Sequence, residues 1–552
     1  MRAWNRRDLA GVALGALAAG CAHAQVAPDL IIHGGPIYTG VAANPRIEAV
    51  LIRNGRFVAL GALSDVSANA RGARVIDLGG AAAYPGFKDA HCHLGGVGMA
   101  AMVLDLVGVE SISAMRERLR GYAATHREGA IYGRGWIETH WPERRFPNRA
   151  DLDDIVGDRP VFLERIDGHA GVVNGAALAL AGIDSNTANP AGGSIERDGD
   201  GRATGMLIDN AMSLVQSRLP APTPAMQREA LAQALRLYAS RGWTGASNMS
   251  TSLAESMLLQ EFASAGQVPI HTDIYLTPED SEIVFQRGAF AIGKAHVRGV
   301  KLYMDGALGS RGAALLAPYA DAHSDGLLVT PPDQLRAFLT RARARNVQVA
   351  THAIGDRGNR LVLDAYRDVF ANDANASRAA RWRIEHAQVL AREDIPRFAS
   401  QGVIASMQPS HAISDLHFAP SRLGPDRLAG AYAWRSLLDS GAIIAAGSDA
   451  PVERGDPLIE FYAAAYRHDL NGFAGADWRL DQAVSRAEAL RMLTWAPAFA
   501  CFAEAERGSI EVGKRADLSA FSVDLMTAEA PEIPTARPIL TVSDGRIAHE
   551  AL

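Results

Sequence analysis

The chain has 552 residues, of which 48% are hydrophobic and 21% charged, and its net charge is −6 at neutral pH. This size allows a large core, and α/β barrels routinely exceed about 200 residues as one domain. The mildly acidic balance argues against nucleic-acid binding, and the three cysteines do not have zinc-finger spacing.

Residues 1–24 have the features of an export signal. Arginines precede an apolar run over residues 9–19, which is too short to span a bilayer, and small residues before Gln25 offer a cleavage site. The Arg6-Arg7 pair resembles a twin-arginine signal. The segment ending at Cys21 resembles a lipoprotein processing site. We predict export to the periplasm, and leave open whether the mature protein is soluble or lipid-anchored.

Both ends of the chain are predicted to contribute strands to one small β domain. Short apolar segments with strand character lie within residues 30–35, 49–60, 74–78, 508–518 and 539–547. Asn54-Gly55 and Asp544-Gly545 are typical of hairpin turns. We assign this composite domain to residues 25–83 and 505–552 and expect its role to be structural.

A strand that ends in His91-Cys92-His93 is the first sign of a functional site. Residues i and i+2 of a strand point to one face, so His91 and His93 would direct two imidazoles to one point. Cys92 would face away and serve in packing. Imidazole suits zinc and related ions, and the pair predicts half of a metal site.

The stretch over residues 95–223 is too long for an ordinary loop, and we interpret it as an insertion that covers the barrel mouth. Within it, Trp136, Glu138 and His169 are candidates for the substrate pocket. The alternative is that they only stabilise the insertion.

Single polar residues end several later apolar runs, and helix-like stretches separate these runs. The residues are Lys301, His352, His386 and Asp449. Strands that alternate with helices predict a parallel sheet, and in a closed parallel barrel the active site lies at the carboxyl ends of the strands. These side chains would therefore converge with His91 and His93.

Local signals place parts of this region in detail. Thr330 and Pro331 predict a helix start, and a capping box over residues 485–488 predicts another. Residues 372–377 are expected to form a weakly ordered loop. Arg311, Gln408 and His411 are candidates for substrate binding, the last two because they follow a strand over residues 403–407.

Several longer motifs resemble one known family, the amidohydrolase superfamily. Within it they look like the YtcJ-like branch, also called amidohydrolase family 3, which includes N-substituted formamide deformylase. The motifs are Asp167-Gly168-His169 with Asn174, Gly299-Val300-Lys301-Leu302, Asp305-Gly306, Gly309-Ser310-Arg311, Thr351-His352-Ala353-Ile354-Gly355-Asp356, Ile384-Glu385-His386-Ala387 and Gly447-Ser448-Asp449-Ala450-Pro451. The resemblance covers nearly all of the chain after the leader.

The resemblance implies an α/β fold, a distorted (β/α)8 TIM barrel at residues 84–504 with a composite β-sandwich from both chain ends. It implies that His91 and His93 hold the more buried metal ion with Asp449. His352 and His386 would hold the second ion.

Lys301 would bridge the two ions, taken to be zinc, as a carbamate. A free ammonium has no lone pair for a metal, so a lysine at a ligand position must be modified or deprotonated. Lys88 and Glu138 depart from the residues usual in the family's motifs, and they are candidates for tuning substrate specificity.

The expected function is hydrolysis of an amide or related C–N bond by a metal-activated hydroxide. Asp449 would take the water proton and pass it to the leaving amine, and His386 would help to polarise the carbonyl. An ester hydrolase or hydratase on the same site, or a non-catalytic metal-binding regulatory protein, stays open. The expected partner is a small-molecule substrate, and formation of a homodimer is left open.

Overall fold

The computed structural model describes residues 28–552, except for residues 69, 139–140, 167–169, 191–192, 221 and 476–477. The predicted export signal with Cys21, and the candidate residue His169, lie outside the described residues. Within the described part of the chain, no helix is long and apolar enough to cross a membrane.

Between residue 28 and the barrel, the described residues form seven short strands and one helix. They are β1 Leu30–His33, β2 Ile37–Tyr38, β3 Arg46–Ile47, β4 Ala49–Arg53, β5 Arg56–Gly61, α1 Leu63–Ala68, β6 Arg74–Asp77 and β7 Ala82–Pro85. Asn54 and Gly55 join β4 to β5 with φ values of 49° and 77°. A two-residue hairpin loop of this type needs positive φ at both positions, and the predicted turn is confirmed.

The first barrel strand, β8 Phe87–Cys92, leads through α2 Leu94–Met102 into the insertion. The insertion's elements are β9 Leu104–Asp105, α3 Ile112–Thr125, β10 Ile131–Trp136, α4 Arg149–Asp153, β11 Val161–Arg165, β12 Ala170–Val173, α5 Gly175–Ala181, β13 Gly193–Arg197, β14 Ala203–Asp209 and α6 Met212–Gln216. Six strands in the described part of the insertion form one sheet in the order β13-β14-β12-β11-β10-β9. Separate apolar clusters lie around Leu163 and around Phe162, so the insertion has a core of its own.

The remaining barrel strands alternate with helices. The strands are β15 Trp243–Thr251, β16 His271–Leu276, β17 Phe290–Ile292, β18 Ala295–Tyr303, β19 Gln348–Ala353, β20 Arg383–His386, β21 Ile404–Met407 and β22 Ile444–Ala446. The helices are α7 Pro224–Ser240, α8 Leu253–Ser264, α9 Glu282–Arg287, α10 Pro332–Ala344, α11 Asp356–Val369, α12 Ala374–Ala380, α13 Ile395–Gln401, α14 Pro409–Asp415, α15 Ala419–Leu428, α16 Trp434–Asp439, α17 Pro457–Tyr466, α18 Arg486–Leu493 and α19 Trp495–Ala500.

The parallel strands follow the order β22-β21-β20-β19-β18-β16-β15-β8, while β17 pairs antiparallel with β18. A parallel bridge between Cys92 and Ala450 brings the two ends of this sheet together. The eight-stranded barrel predicted from the sequence is confirmed, and the carboxyl ends of its strands meet at one mouth.

Three C-terminal strands return to the start of the chain: β23 Leu518–Phe521, β24 Pro538–Ser543 and β25 Arg546–Glu550. They extend one sheet in the order β25-β24-β23-β7-β2-β3, and the other N-terminal strands form a second sheet, β5-β4-β1-β6. Ile32 and Val50 of the second sheet share an apolar core with Leu518 and Val542 of the first. Strands from both chain ends thus build one two-sheet unit.

Two of the local predictions fail in detail. Helix α10 begins at Pro332 rather than Pro331, which occupies the cap position. The stretch predicted as a weakly ordered loop contains the start of α12, because the Asp373 carboxylate accepts hydrogen bonds from the backbone N–H groups of Asn375 and Ala376. The capping box of Ser485 and Glu488 at the start of α18 is present as predicted.

Candidate metal centre

The seam between β8 and β22 brings the first histidine pair next to Asp449. The backbone N–H of Asp449 donates to the carbonyl of His91 at 2.7 Å, and that of His93 donates to the carbonyl of Ala450 at 2.8 Å. Gly447 makes this approach possible, because a Cβ at position 447 would lie only 2.4 Å from the backbone nitrogen of His91. The seam thus holds ligands from opposite ends of the barrel sheet at a fixed separation.

His91 is oriented by a buried carboxylate on a different strand. Its Nδ1 lies 2.6 Å from Oε2 of Glu385, and neither side chain is exposed. Burial raises the pKa of Glu385, but Arg383 and His91 outweigh this effect and hold the pKa well below its usual range. An ionised carboxylate only accepts hydrogen bonds, so Nδ1 of His91 carries the proton and Nε2 offers its lone pair.

Two further histidines are oriented in the same way. Nδ1 of His93 donates to the carbonyl of Met249 at 3.1 Å, and Nδ1 of His386 donates to Oε1 of Gln408 at 2.8 Å. Their Nε2 atoms are therefore the available metal-binding atoms. Gln408 was predicted as a substrate-binding residue, and the structure places it against the ring of His386.

The ligand atoms converge on a small volume. Oδ1 of Asp449 lies 3.0 Å from Nε2 of His93 and 3.4 Å from Nε2 of His91. One ligand atom each from His91, His386 and Asp449 falls within 4.8 Å of the others. This spacing suits one ion bound by imidazole and carboxylate groups.

His352 lies beside this group with a different orientation. Its ring centroid is 4.6 Å from that of His386, and its Nε2 is 3.5 Å from both the carbonyl of Gly306 and Oδ1 of Asp305. An N–H that points to those oxygens leaves Nδ1 with the free lone pair. His352 is thus placed to contribute to a second position next to the first.

The protonation states fit a metal-binding set. Burial lowers the pKa of His91 to about 4 and that of His352 to about 3, and the charge of Lys301 adds to both effects. Burial would raise the pKa of Asp449, but the neighbouring histidines, His91 first, hold it well below its usual range. Neutral imidazoles and an ionised carboxylate are the forms that bind metal ions.

Lys301 lies next to His91 in this set. Its Nζ lies 3.2 Å from Nε2 of His91, and the side chain is buried. Within the described residues it forms no ion pair with a carboxylate. Burial lowers its pKa to about 8, which makes the neutral amine accessible. A buried lysine that faces imidazole lone pairs fits a site where the nitrogen is modified or deprotonated.

His411 lies at the edge of the ligand set. Its ring stacks on that of His386 with the centroids 5.9 Å apart, and its Nε2 is 3.6 Å from Oδ2 of Asp449. This nitrogen is buried without a hydrogen-bond partner among the described residues. Helix α14 therefore directs one imidazole nitrogen without a hydrogen-bond partner among the described residues at the carboxylate of Asp449.

The other predicted substrate contacts are engaged elsewhere. Arg311 forms a bidentate ion pair with Asp321 at 3.0 and 2.9 Å. The indole of Trp136 is fully buried in the core of the insertion and donates to the carbonyl of Leu163, so it has no surface to offer a substrate. Glu138 pairs with Arg165 at 2.8 Å.

Lys88, a suggested specificity residue, is buried below the mouth and bound to Asp273 at 2.9 Å. Its salt bridge satisfies the ammonium inside the barrel. The side chain therefore has a structural partner in place of a substrate.

Sequence reasoning did not assign roles to three buried carboxylates beside the ligands: Asp89, Asp305 and Glu385. Asp89 accepts the backbone N–H groups of His91 and Ser448, at 2.9 and 3.0 Å. Asp305 accepts three backbone N–H groups, including that of Ile354 at 2.9 Å. Each acid sits within an apolar segment next to a ligand, and burying a carboxylate there is costly unless it is bonded. An acidic residue within an apolar segment next to a predicted ligand was therefore the sequence signal that could have identified these three carboxylates.

Comparison with known proteins gives a consistent result. The model of the "Amidohydrolase family" matches residues 74–549. The chain is 32% identical to YtcJ of Bacillus subtilis (strain 168) over 94% of this chain and 99% of that protein. It is 29% identical to N-substituted formamide deformylase of Arthrobacter pascens over 95% of this chain and 98% of the relative.

A solved structure agrees in fold. The crystal structure of an uncharacterized metal-dependent hydrolase from Pyrococcus horikoshii has a TM-score of 0.75 and 26% sequence identity. The match covers 91% of this chain and 99% of that one. Nearly the entire architecture is therefore shared.

The contact between Glu385 and His91 leads to a prediction for Glu385→Gln. The substitution replaces one carboxylate oxygen by an NH2 group, which then faces an N–H donor of Arg383 or His91, so at least one of the present hydrogen bonds is lost. We expect metal affinity to fall roughly tenfold to a hundredfold, as measured by competition with a chromophoric chelator. Glu393→Gln, which removes a surface partner of Arg360, is the matched control. Unchanged affinity in folded Glu385→Gln protein would contradict the assignment.

Proposed function

The chain belongs to the amidohydrolase family, and from that premise we propose how its metal centre hydrolyses a carbon–nitrogen bond. The protein is a metal-dependent hydrolase that acts on C–N bonds other than peptide bonds, and its substrate is a small molecule. The convergence of His91, His386 and Asp449 within 4.8 Å carries this conclusion, because it joins neutral imidazoles to an ionised carboxylate at the barrel mouth.

The metal content is the first detail of the proposal. Two zinc ions would occupy the site, one held by His91, His93 and Asp449, the other by His352 and His386. Lys301 would bridge them as a carbamate, formed when its neutral amine adds carbon dioxide and releases a proton. The depressed pKa of Lys301 and its distance of 3.2 Å from His91 support this role.

Bound divalent ions supply an activated water and polarise a carbonyl. Residues of the chain transfer the proton, assist in polarising the carbonyl and bind the substrate. Asp449 accepts the proton of the attacking water on its carboxylate and delivers it to the nitrogen of the leaving amine. His386, held by Gln408, assists in polarising the carbonyl oxygen. His411 binds the substrate through the nitrogen that faces Asp449.

The first substrates to test are N-substituted formamides, because the deformylase relative is named for them.

We also propose that residues 1–24 direct export to the periplasm, based on the Arg6-Arg7 pair and the short apolar run. Processing at Cys21 in place of cleavage before Gln25 would anchor the protein to lipid. Mass spectrometry of the mature N-terminus tests where the chain is processed. The native mass of the purified protein tests whether it forms a dimer.

Removal of metal tests the proposed reaction directly. We expect zinc-loaded protein to hydrolyse at least one member of a panel of formamides, amides, N-acyl amino acids, imides and esters. Chelation should reduce turnover to background, and added zinc should restore it. Hydrolysis of the ester alone would favour the ester-hydrolase alternative. A loaded protein that turns over no member would favour a regulatory protein.

The carbamate has its own test. After exposure to isotopically labelled carbon dioxide, wild-type protein should show a carbamate carbon resonance that Lys301→Ala lacks. Lys294→Ala is the control, because desolvation also lowers the pKa of Lys294 to about 8, but this half-buried lysine bonds to the carbonyl of Pro269, away from the candidate ligands. A resonance that survives in Lys301→Ala would disprove the assignment.

His411→Ala tests the substrate contact. Loss of one hydrogen bond to the substrate should lower kcat/KM about tenfold while metal content stays unchanged. His417→Ala removes an exposed imidazole that pairs with Asp469 and serves as the control. Loss of metal from His411→Ala would show that this residue is a ligand.

A further inference from the structure

The insertion contacts the loop that carries Asp449 through one arginine. Arg134 lies near the end of β10, and its Nη1 donates to the carbonyl of Pro451 at 3.4 Å. Pro451 follows Asp449 by two residues, so both belong to the same short loop. No other hydrogen bond joins the insertion's sheet to that loop in the described part of the chain. Arg134 therefore marks where the insertion reaches the mouth.

The guanidinium of Arg134 has no counter-ion among the described residues. Asp105 and Glu164 lie in register with it on β9 and β11, yet neither forms an ion pair with it. Two other arginines of the insertion do have carboxylate partners: Arg145 binds Asp151 at 2.8 Å and Arg165 binds Glu138. A half-buried positive charge is thus left beside the catalytic loop.

This arrangement suits a carboxylate. A guanidinium offers five N–H donors in a planar fork that matches two carboxylate oxygens. Arg134 uses one donor in a long contact with a backbone carbonyl, which leaves the others for a ligand. A substrate carboxylate bound to this half-buried guanidinium would supply the negative charge that no described residue of the protein provides.

The expected orientation of the substrate sets the position of that carboxylate. Asp449 delivers its proton to the leaving nitrogen, so the amine portion faces the loop that contains Asp449 and Pro451. In an N-acyl amino acid, only the nitrogen and the α carbon separate the carboxylate from the scissile carbonyl. Three bonds of about 1.3 to 1.5 Å join the carboxylate carbon to the scissile carbonyl carbon, so the two carbons lie within about the length of one residue.

We propose that Arg134 determines specificity by binding a carboxylate on the amine portion of the substrate, so that the preferred substrates are acylated amino acids or close analogues. This inference rests on the proposed hydrolase function. The competing role is a brace, in which Arg134 only holds the insertion against the loop of Pro451.

Matched substrates separate the two roles. N-formyl-leucine and N-isopentylformamide differ only by the carboxylate. With zinc-loaded full-length protein, we expect kcat/KM to favour the acid on the order of tenfold to a hundredfold. In Arg134→Gln this preference should disappear through a higher KM for the acid, and Arg134→Lys should retain part of it because lysine keeps the charge but not the fork.

Arg159→Gln is the control variant. Arg159 also donates to backbone carbonyls, those of Gly129 and Ala123, but it lies at the opposite end of the insertion's sheet. It should keep the preference of the wild type. An equal fractional loss on both substrates in Arg134→Gln would establish the brace, and a wild type without preference for the acid would overturn the proposal.

A binding measurement keeps this test independent of turnover. N-methanesulfonyl-leucine and N-isopentylmethanesulfonamide repeat the pair with a sulfonamide that resists hydrolysis, and calorimetry gives their affinities. Tighter binding of the acid that is lost in Arg134→Gln supports the proposal; equal affinities refute it. If neither formamide is hydrolysed, the proposed function fails, while the sulfonamide pair still decides the role of Arg134.

Discussion

The metal centre depends on how the first and last strands of the barrel are joined. Asp89 does this with one carboxylate, which accepts the N–H groups of His91 and Ser448 and the hydroxyl of Ser448 at 2.6 Å. Burial raises the pKa of Asp89 to about 6, and these hydrogen bonds counter the rise because they favour the ionised form. Since His91 and Asp449 lie on opposite sides of this seam, their spacing follows from it.

The same logic extends around the mouth. Each of three candidate histidine ligands is held through Nδ1 by an acceptor from a neighbouring strand or the loop after it, namely Glu385, the carbonyl of Met249 or Gln408. The rings are thereby oriented by the barrel itself. Glu385 in turn needs the buried Arg383, whose Nη1 has no hydrogen-bond partner in the described part of the chain. Orienting one ligand therefore carries an energetic cost within the barrel core.

The sequence allowed prediction of those features that depend on strand ends. His91, Lys301, His352 and His386 lie at or near the ends of apolar strands, and a closed parallel barrel brings such positions together regardless of their distance in sequence. The hairpin at Asn54-Gly55 was predictable because its turn chemistry is local.

Features that depend on tertiary partners were not predictable. Trp136 looked like a pocket residue, but its burial follows from the insertion's own core, whose strand order no local pattern reveals. Glu385 stands one position before a ligand, and its partner His91 is 294 residues away. The helix that begins after Asp373 was missed because its cap lies within a run of polar residues typical of loops.

The division between barrel and insertion also explains why chemistry is easier to infer than substrate. All candidate ligands come from barrel strands or the loops that follow them, so they are constrained by one closed sheet. The insertion folds around separate apolar clusters and contacts the loop that carries Asp449 through Arg134, whose guanidinium donates to the carbonyl of Pro451. A surface supported by its own core can change its side chains without disturbing the ligands. The proposed specificity residue thus lies where the fold constrains the sequence least, whereas the candidate ligands on which the proposed chemistry depends belong to the barrel.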